Sequence, residues 1–379
     1  MLKATRTAAL AAAAFCAVAG LAGGVQAKDI EIGAEFPLSG SNAIYGDVFK
    51  SGTELAVAHI NADHMLKAPL KILYEDSQAL PQPAVVAMTK LVEVNKVPYV
   101  LSAFTGVSKA ISTLGQRSQT VVVNGGGVGP DLAKLGPYFW NVIPLANLEV
   151  RAMVPYLAKH DMKKVALIYV DDPLGQAILD ELKANLPKAG GKLVAEMSVP
   201  TSAQSFSGVA AQVRASGADA VYIASYGAQQ IQIAKQLRDN GVKVQLASYS
   251  GFSTPDALKL PEANGLLYTT QAVNYKADDA VTKRFLADYE KAHDGKKPSA
   301  YVVNYYNAVL LFGILGHKLE EAGKPITGAN LLAERKATKS FDLVGGKVSF
   351  QENGTLLAPI QVNKIVDGAG QPQETVDIH

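Results

Sequence analysis

The 379-residue sequence holds one cysteine, Cys16, which lies in an apolar stretch near the N-terminus. Beyond that stretch the chain has no thiol, which excludes disulfides and cysteine-ligated metal there. An excess of charge of either sign is also missing. Setting aside Lys3 and Arg6 of the N-terminal stretch from the 36 basic residues leaves 34 against 34 acidic ones, dispersed rather than in runs. Without a basic face the chain is not built to hold nucleic acid. The histidines are scattered, and the nearest pair, His59 and His64, would stand about 140° apart on a helix, off the i,i+4 spacing of metal ligands. The patterns G-x-S-x-G, H-E-x-x-H, G-x-x-x-x-G-K-[ST] and the calcium loop are absent, so neither an enzyme nor a metal or cofactor site is expected. Asp171-Asp172 and Glu320-Glu321 are adjacent acids, which point in different directions and read as solvated surface. After residue 27 no run reaches the roughly 18 uninterrupted apolar residues of a membrane span.

What is present starts with residues 1–27. Lys3 and Arg6 precede an uncharged run, Thr7 to Gln26, that ends in Val25-Gln26-Ala27. This is the pattern of a cleaved secretory signal peptide, with a mature chain starting at Lys28 in the periplasm. Phe15 before Cys16 disfavours a lipid anchor. About 350 residues then remain, more than one core usually organises, which favours two domains.

Along these residues short β-branched runs alternate with longer amphipathic stretches, the βαβα pattern of parallel sheets covered by helices. Strands are expected at Ile30–Phe36, Leu70–Glu75, Tyr99–Ala103 and Thr120–Asn124, with helices at Gly46–Ile60, Pro83–Val94 and Ser108–Gln116. After Asn147 the pattern restarts, with strands at Val165–Val170, Leu193–Val199, Ala220–Ala224 and Gln245–Ser248. The C-terminal third has helices at Ala280–His293 and Tyr301–Ala322 and strands at Lys347–Phe350 and Pro359–Asp367, too little for a third sheet. These elements must complete two α/β lobes with a cleft between them, where open sheets bind ligands. Asn124–Gly129 is the most Gly-rich segment, and its spacing fails the dinucleotide fingerprint. It reads either as a turn or as a loop whose N–H groups approach a ligand. Ala103–Val107, before a helix start, could hold an anion on backbone N–H groups alone.

The opening Ile32-Gly33-Ala34-Glu35-Phe36-Pro37-Leu38-Ser39-Gly40, followed by Tyr45-Gly46-Asp47, Gly52 and Ile60-Asn61-Ala62, resembles the leucine/isoleucine/valine-binding family of periplasmic proteins. Lys164–Tyr169 with Gly175, Gln236–Gly241, Tyr306-Asn307-Ala308 and Phe350-x-x-Asn353-Gly354 extend the resemblance over nearly all of the mature chain. It implies a type I periplasmic binding fold of two Rossmann-like lobes with parallel-sheet cores, joined by a three-crossing hinge. The expected division is residues 28–146 with 274–350, and 147–273 with 351–379. It also implies a monomer that hands its ligand to a membrane permease with its own ATPase. A sensor of the same fold feeding a signalling receptor is the alternative.

The family's ligand residues carry over in part. Tyr45 and Tyr226 match ligand-facing aromatics. The family's carboxylate-holding serine falls on Gly106, beside Thr105, and its threonine in the next loop falls on Val128, near Gly126 and Gly127. The acidic residue that would pair with a ligand ammonium falls on Ser250. An ammonium buried without a charged partner would cost several kcal/mol, against the ~8 kcal/mol of a micromolar complex. Phe104, Tyr249, Phe252 and Tyr301 add aromatics near the cleft, and the last three could instead pack the hinge. The leading ligand is a small carboxylate without an ammonium, such as a benzoate or phenylpropenoate. Amino acids, branched-chain ones included, and amides are the alternative.

Overall fold

Ile32, Ala34 and Phe36 alternate along Ile30–Phe36 and are fully buried on one face of the strand they form, β1. The structure, a computed structural model, describes residues 28–377; the leader expectation, with Cys16, lies outside the described residues. From β1 the chain runs through α1 (Ala43–Ala62), β2 (Leu70–Asp76), α2 (Pro81–Thr89), β3 (Tyr99–Ser102), α3 (Thr105–Ser118), β4 (Val121–Asn124) and β5 (Phe139–Asn141). These strands form one parallel sheet in the order β2-β1-β3-β4-β5. The short β5, Phe139-Trp140-Asn141, has no alternation long enough to be expected from sequence.

The second sheet repeats the order. Its elements are α4 (Ala146–Lys159), β6 (Lys164–Val170), α5 (Pro173–Asn185), β7 (Lys192–Val199), α6 (Ser207–Ser216), β8 (Ala220–Ala224), α7 (Gly227–Asp239), β9 (Gln245–Ser248), a short α8 (Pro255–Leu258) and β10 (Leu267–Gln271). The parallel order is β7-β6-β8-β9-β10. In each sheet the order reverses beside its first strand, and the loops after the carboxyl ends of the strands open at that point.

The remaining elements are α9 (Ala280–Ala292), α10 (Ala300–Glu321), α11 (Gly328–Ala337), β11 (Phe341–Leu343), β12 (Gly346–Phe350), β13 (Leu356–Leu357), β14 (Ile360–Val366) and β15 (Ala369–Val376). Strands β14 and β15 extend the second sheet beyond β10, β14 antiparallel to β10 and β15 antiparallel to β14. Helix α10 is apolar on nearly every side and buried along most of its length, as a helix enclosed by its neighbours must be. It packs against α1 so closely that a Cβ on Gly52 would lie 2.3 Å from the Val302 carbonyl oxygen. The chain passes between the large sheets after β5, after β10 and after β13. The last crossing was expected after Phe350. Leu356 instead pairs with Phe350, and Thr355 bridges Asn141, which keeps residues 351–357 with the first lobe.

Candidate functional site

The loops after β1, β3 and β4 of the first lobe face those after β6, β8 and β9 of the second across a cavity of about 160 Å³. Six aromatic rings line it, those of Tyr45, Phe49, Phe104, Tyr226, Tyr249 and Tyr301. Phe104 and Tyr301 meet Tyr45 edge to face with centroids 5.5 and 5.9 Å apart, and Phe104 meets Tyr226 of the opposite lobe at 5.6 Å. Apolar packing is continuous across the contact between lobes.

The lobes are closed on each other by Tyr45. Its hydroxyl donates to the Gly251 carbonyl at 3.2 Å and accepts from the Gly227 N–H at 3.2 Å and from Gln230 Nε2 at 3.1 Å. Burial pushes the phenol up to about 12, so the hydroxyl keeps its proton. Gly227 has φ of +60°, and a Cβ there would lie 2.2 Å from Asn42 Oδ1 across the interface.

At the first-lobe end Phe104 precedes α3 with φ of +64°, a left-handed conformation rare for a bulky residue and of the kind held at ligand sites by surrounding structure. No side chain caps α3, so the N–H groups of its first turn, on Thr105, Gly106 and Val107, have no partner within the helix and suit an anion. Gly106, Gly126, Gly127 and Val128 line the cavity with Thr105. The glycine loop nevertheless serves mostly itself. Asn124 Oδ1 accepts the N–H groups of Gly126 and Gly127 at 3.2 and 2.6 Å, and Thr105 Oγ1 accepts that of Gly129 at 2.9 Å. Within the glycine loop only the Val128 N–H keeps no partner among the described residues, so the expected N–H donors reduce to it and those of the α3 start, with the Thr105 hydroxyl free to donate its own proton.

Ser250 departs from expectation, because it does not line the cavity. Its N–H and hydroxyl both donate at 2.8 Å to the carboxylate of Glu149, which also accepts from the Thr269 hydroxyl at 2.8 Å. Burial raises this carboxyl to about 7, against the lowering effect of those bonds. The Tyr301 hydroxyl stands 3.5 Å from Ser250 Oγ, joining the buried acid to the cavity wall. Phe252 is fully buried in the second lobe's own core and plays no part in the walls. Tyr249 and Tyr301 do line the cavity, and Tyr249 donates to the Ser225 carbonyl at 3.0 Å.

The acid on the lining is Asp172. The expectation that Asp171-Asp172 solvates the surface fails for this residue because the pair forms the turn from β6 into α5. Asp172 Oδ1 caps α5 by accepting the N–H groups of Leu174 and Gly175 at 2.8 and 2.9 Å, while Oδ2 accepts the Tyr226 hydroxyl at 2.6 Å. Asp-Pro ahead of an amphipathic run is an N-cap signal that could have placed it. Glu149 had no such signal. Phe49, Leu80, Pro81 and Thr201 also line the cavity and carried no sequence mark of it.

Two doubly wound lobes that meet over a closed, aromatic-walled cavity and are joined by three crossings define a hinged ligand-capture protein. The chain belongs to the periplasmic binding protein family, whose model matches residues 29–370, as a type I member of the Leu/Ile/Val-binding group. It is 28% identical over 358 residues, 92% of this chain and 94% of the relative, to the Leu/Ile/Val-binding protein homolog 3 of Brucella melitensis. Among solved structures, a solute-binding protein of an R. palustris ABC transporter in complex with benzoate matches at TM-score 0.82 and 17% identity, over 92% of this chain and 96% of that one. The branched-chain amino acid transporter protein LivJ of Streptococcus pneumoniae in complex with isoleucine also matches at TM-score 0.82, with 21% identity over 93% and 100%. The protein is thus a periplasmic solute-binding protein of the ABC-transporter type and not an enzyme.

Proposed function

We propose that the solute is a small organic carboxylate without an ammonium group, with aromatic acids such as benzoates or phenylpropenoates as the leading class. The observation that carries this reading is the uncapped start of α3, with the Thr105 hydroxyl beside it, opening onto a cavity walled by six aromatic rings. Backbone N–H groups hold a carboxylate without a cation, and rings suit a flat apolar body. Position 250, where an ammonium would want an acid, holds a serine whose hydroxyl is committed to Glu149. Glu262, a further acid of the second lobe, is paired with Lys235 away from the cavity, and Asp172 on the lining already accepts from two backbone N–H groups and the Tyr226 hydroxyl.

Capture proceeds by closure: the ligand contacts both lobes, and its differential affinity for the closed state shifts the hinge. The closed monomer, exported by its cleaved leader, then docks on a membrane permease coupled to an ATPase. A branched-chain amino acid is the second reading, favoured by the isoleucine bound to a structural neighbour. Calorimetry separates the two. A benzoate or cinnamate is expected to bind at micromolar concentration or better, about 8 kcal/mol, while leucine, isoleucine, valine and phenylalanine bind no tighter than about millimolar, roughly 4 kcal/mol. Submicromolar leucine binding would refute the aromatic-acid reading.

A further inference from the structure

We propose that Asp172 determines specificity within this cleft by accepting a hydrogen bond from a hydroxyl carried at the end of the ligand opposite its carboxylate, so that the preferred solutes are hydroxylated aromatic acids. The inference rests on the aromatic-acid reading above. Asp172 is held rigidly: two backbone N–H groups of α5 fix Oδ1, and the Tyr226 hydroxyl, 2.6 Å away, orients Oδ2. A carboxylate oxygen accepts two hydrogen bonds, and Oδ2 receives one from the protein. The residue lines the cavity, so the remaining acceptor position belongs to the ligand site.

Charge sorts the two ends. A ligand carboxylate is repelled by Asp172 and attracted to the uncapped α3 start in the other lobe, where Thr105 Oγ1 accepts from the Gly129 N–H and has its own proton to give. The ligand is therefore oriented with its anion toward the first lobe and its far end toward Asp172. A purely apolar far end would leave the acid desolvated on closure without a new partner, which disfavours unsubstituted acids. A hydroxyl brings one proton to one remaining acceptor position, whereas an ammonium brings three and finds a carboxylate whose charge three donors already share. Tyr226 keeps its proton on this bond, because burial and the neighbouring Asp172 charge both push its phenol well up, and so it continues to hold Oδ2 in place.

The test is calorimetry at neutral pH on the mature protein with benzoate, 4-hydroxybenzoate, 4-methoxybenzoate and 4-(aminomethyl)benzoate, and with cinnamate against 4-hydroxycinnamate for length. In the wild type the 4-hydroxyl should tighten binding at least tenfold over the unsubstituted and methoxy acids. Asp172→Asn and Asp172→Ser both retain an oxygen to cap α5, and in each the hydroxyl preference should fall below threefold, with melting temperatures confirming the fold. Equal wild-type affinities with and without the hydroxyl would overturn the proposal, as would a preference that survives both substitutions. Tighter binding of the aminomethyl acid would overturn the hydroxyl class in favour of a cation. If none of the aromatic acids binds, the reading of the site as an aromatic-acid cleft fails, and this inference fails with it.

Discussion

Replacing Tyr45 by phenylalanine removes one oxygen atom from a side chain 2% exposed, and with it three hydrogen bonds that join the lobes. Gly251 O keeps its bond from Gln230 Nε2 at 2.7 Å, but the Gly227 N–H and one Gln230 proton are left without a partner in the closed state. In the open state water satisfies the same groups, so the loss falls on closure alone. With each bond contributing about 0.5–1.5 kcal/mol net, the closed form is expected to lose about 2–3 kcal/mol. Ligand binding drives closure, so the dissociation constant should rise roughly 30- to 150-fold at the usual tenfold per 1.4 kcal/mol. Calorimetry with benzoate reads the affinity, and small-angle scattering reads the radius of gyration without and with saturating ligand. The unliganded mutant should be more expanded than the wild type. An affinity within threefold of wild type, with identical compaction, would show that Tyr45 lines the cavity without latching it.

Gly227→Ala places a methyl group 2.2 Å from Asn42 Oδ1 and forces alanine into φ of +60°; benzoate binding should weaken at least tenfold, and Asn42→Ala in the same protein should recover part of it. No recovery would locate the defect in backbone strain rather than in the closed contact. For Glu149, the native carboxyl is held up at about 7 by burial while the unfolded one titrates near 4.5. The folded state then holds the proton longer, so stability is fully present below about 4.5 and is lost as pH rises to about 7, by on the order of 3 kcal/mol. Glu35, buried in the first lobe, shifts in the same direction. Denaturant melts at pH 5 and 8 should therefore show a smaller difference for Glu149→Gln than for the wild type, and an unchanged difference would mean that Glu149 is ionised at no such cost.

The two-lobed fold was legible because short apolar, β-branched runs between amphipathic stretches mark the buried strands of parallel sheets. Ile30–Phe36, Ala220–Ala224 and Gln245–Ser248 are bounded in the structure as the residues alone suggest. Strands β5, β10, β11, β13 and β15 were not: β5, β11 and β13 are two or three residues long, β15 is an exposed polar edge containing Pro372, and β10, Leu-Tyr-Thr-Thr-Gln, is buried without being an apolar run. The aromatic character of the cleft was likewise readable, since Phe104 and Tyr226 end strand-to-helix loops, Tyr45 stands in the first turn of α1, and loops at carboxyl ends converge in this topology. A helical charge such as Glu149 cannot be so read. In Ala146–Lys159 it reads as one polar residue of an amphipathic helix, and only the packing of α4 over β10 and β14 turns it inward onto Ser250 and Thr269. The same holds for Asp172, whose neighbour Tyr226 lies 54 positions away in the chain. Local pattern is carried by neighbouring residues and so survives in the linear sequence. Which acid faces a cavity, and which serine is spent on another side chain, depends on contacts between distant segments that exist only once the lobes have formed and closed.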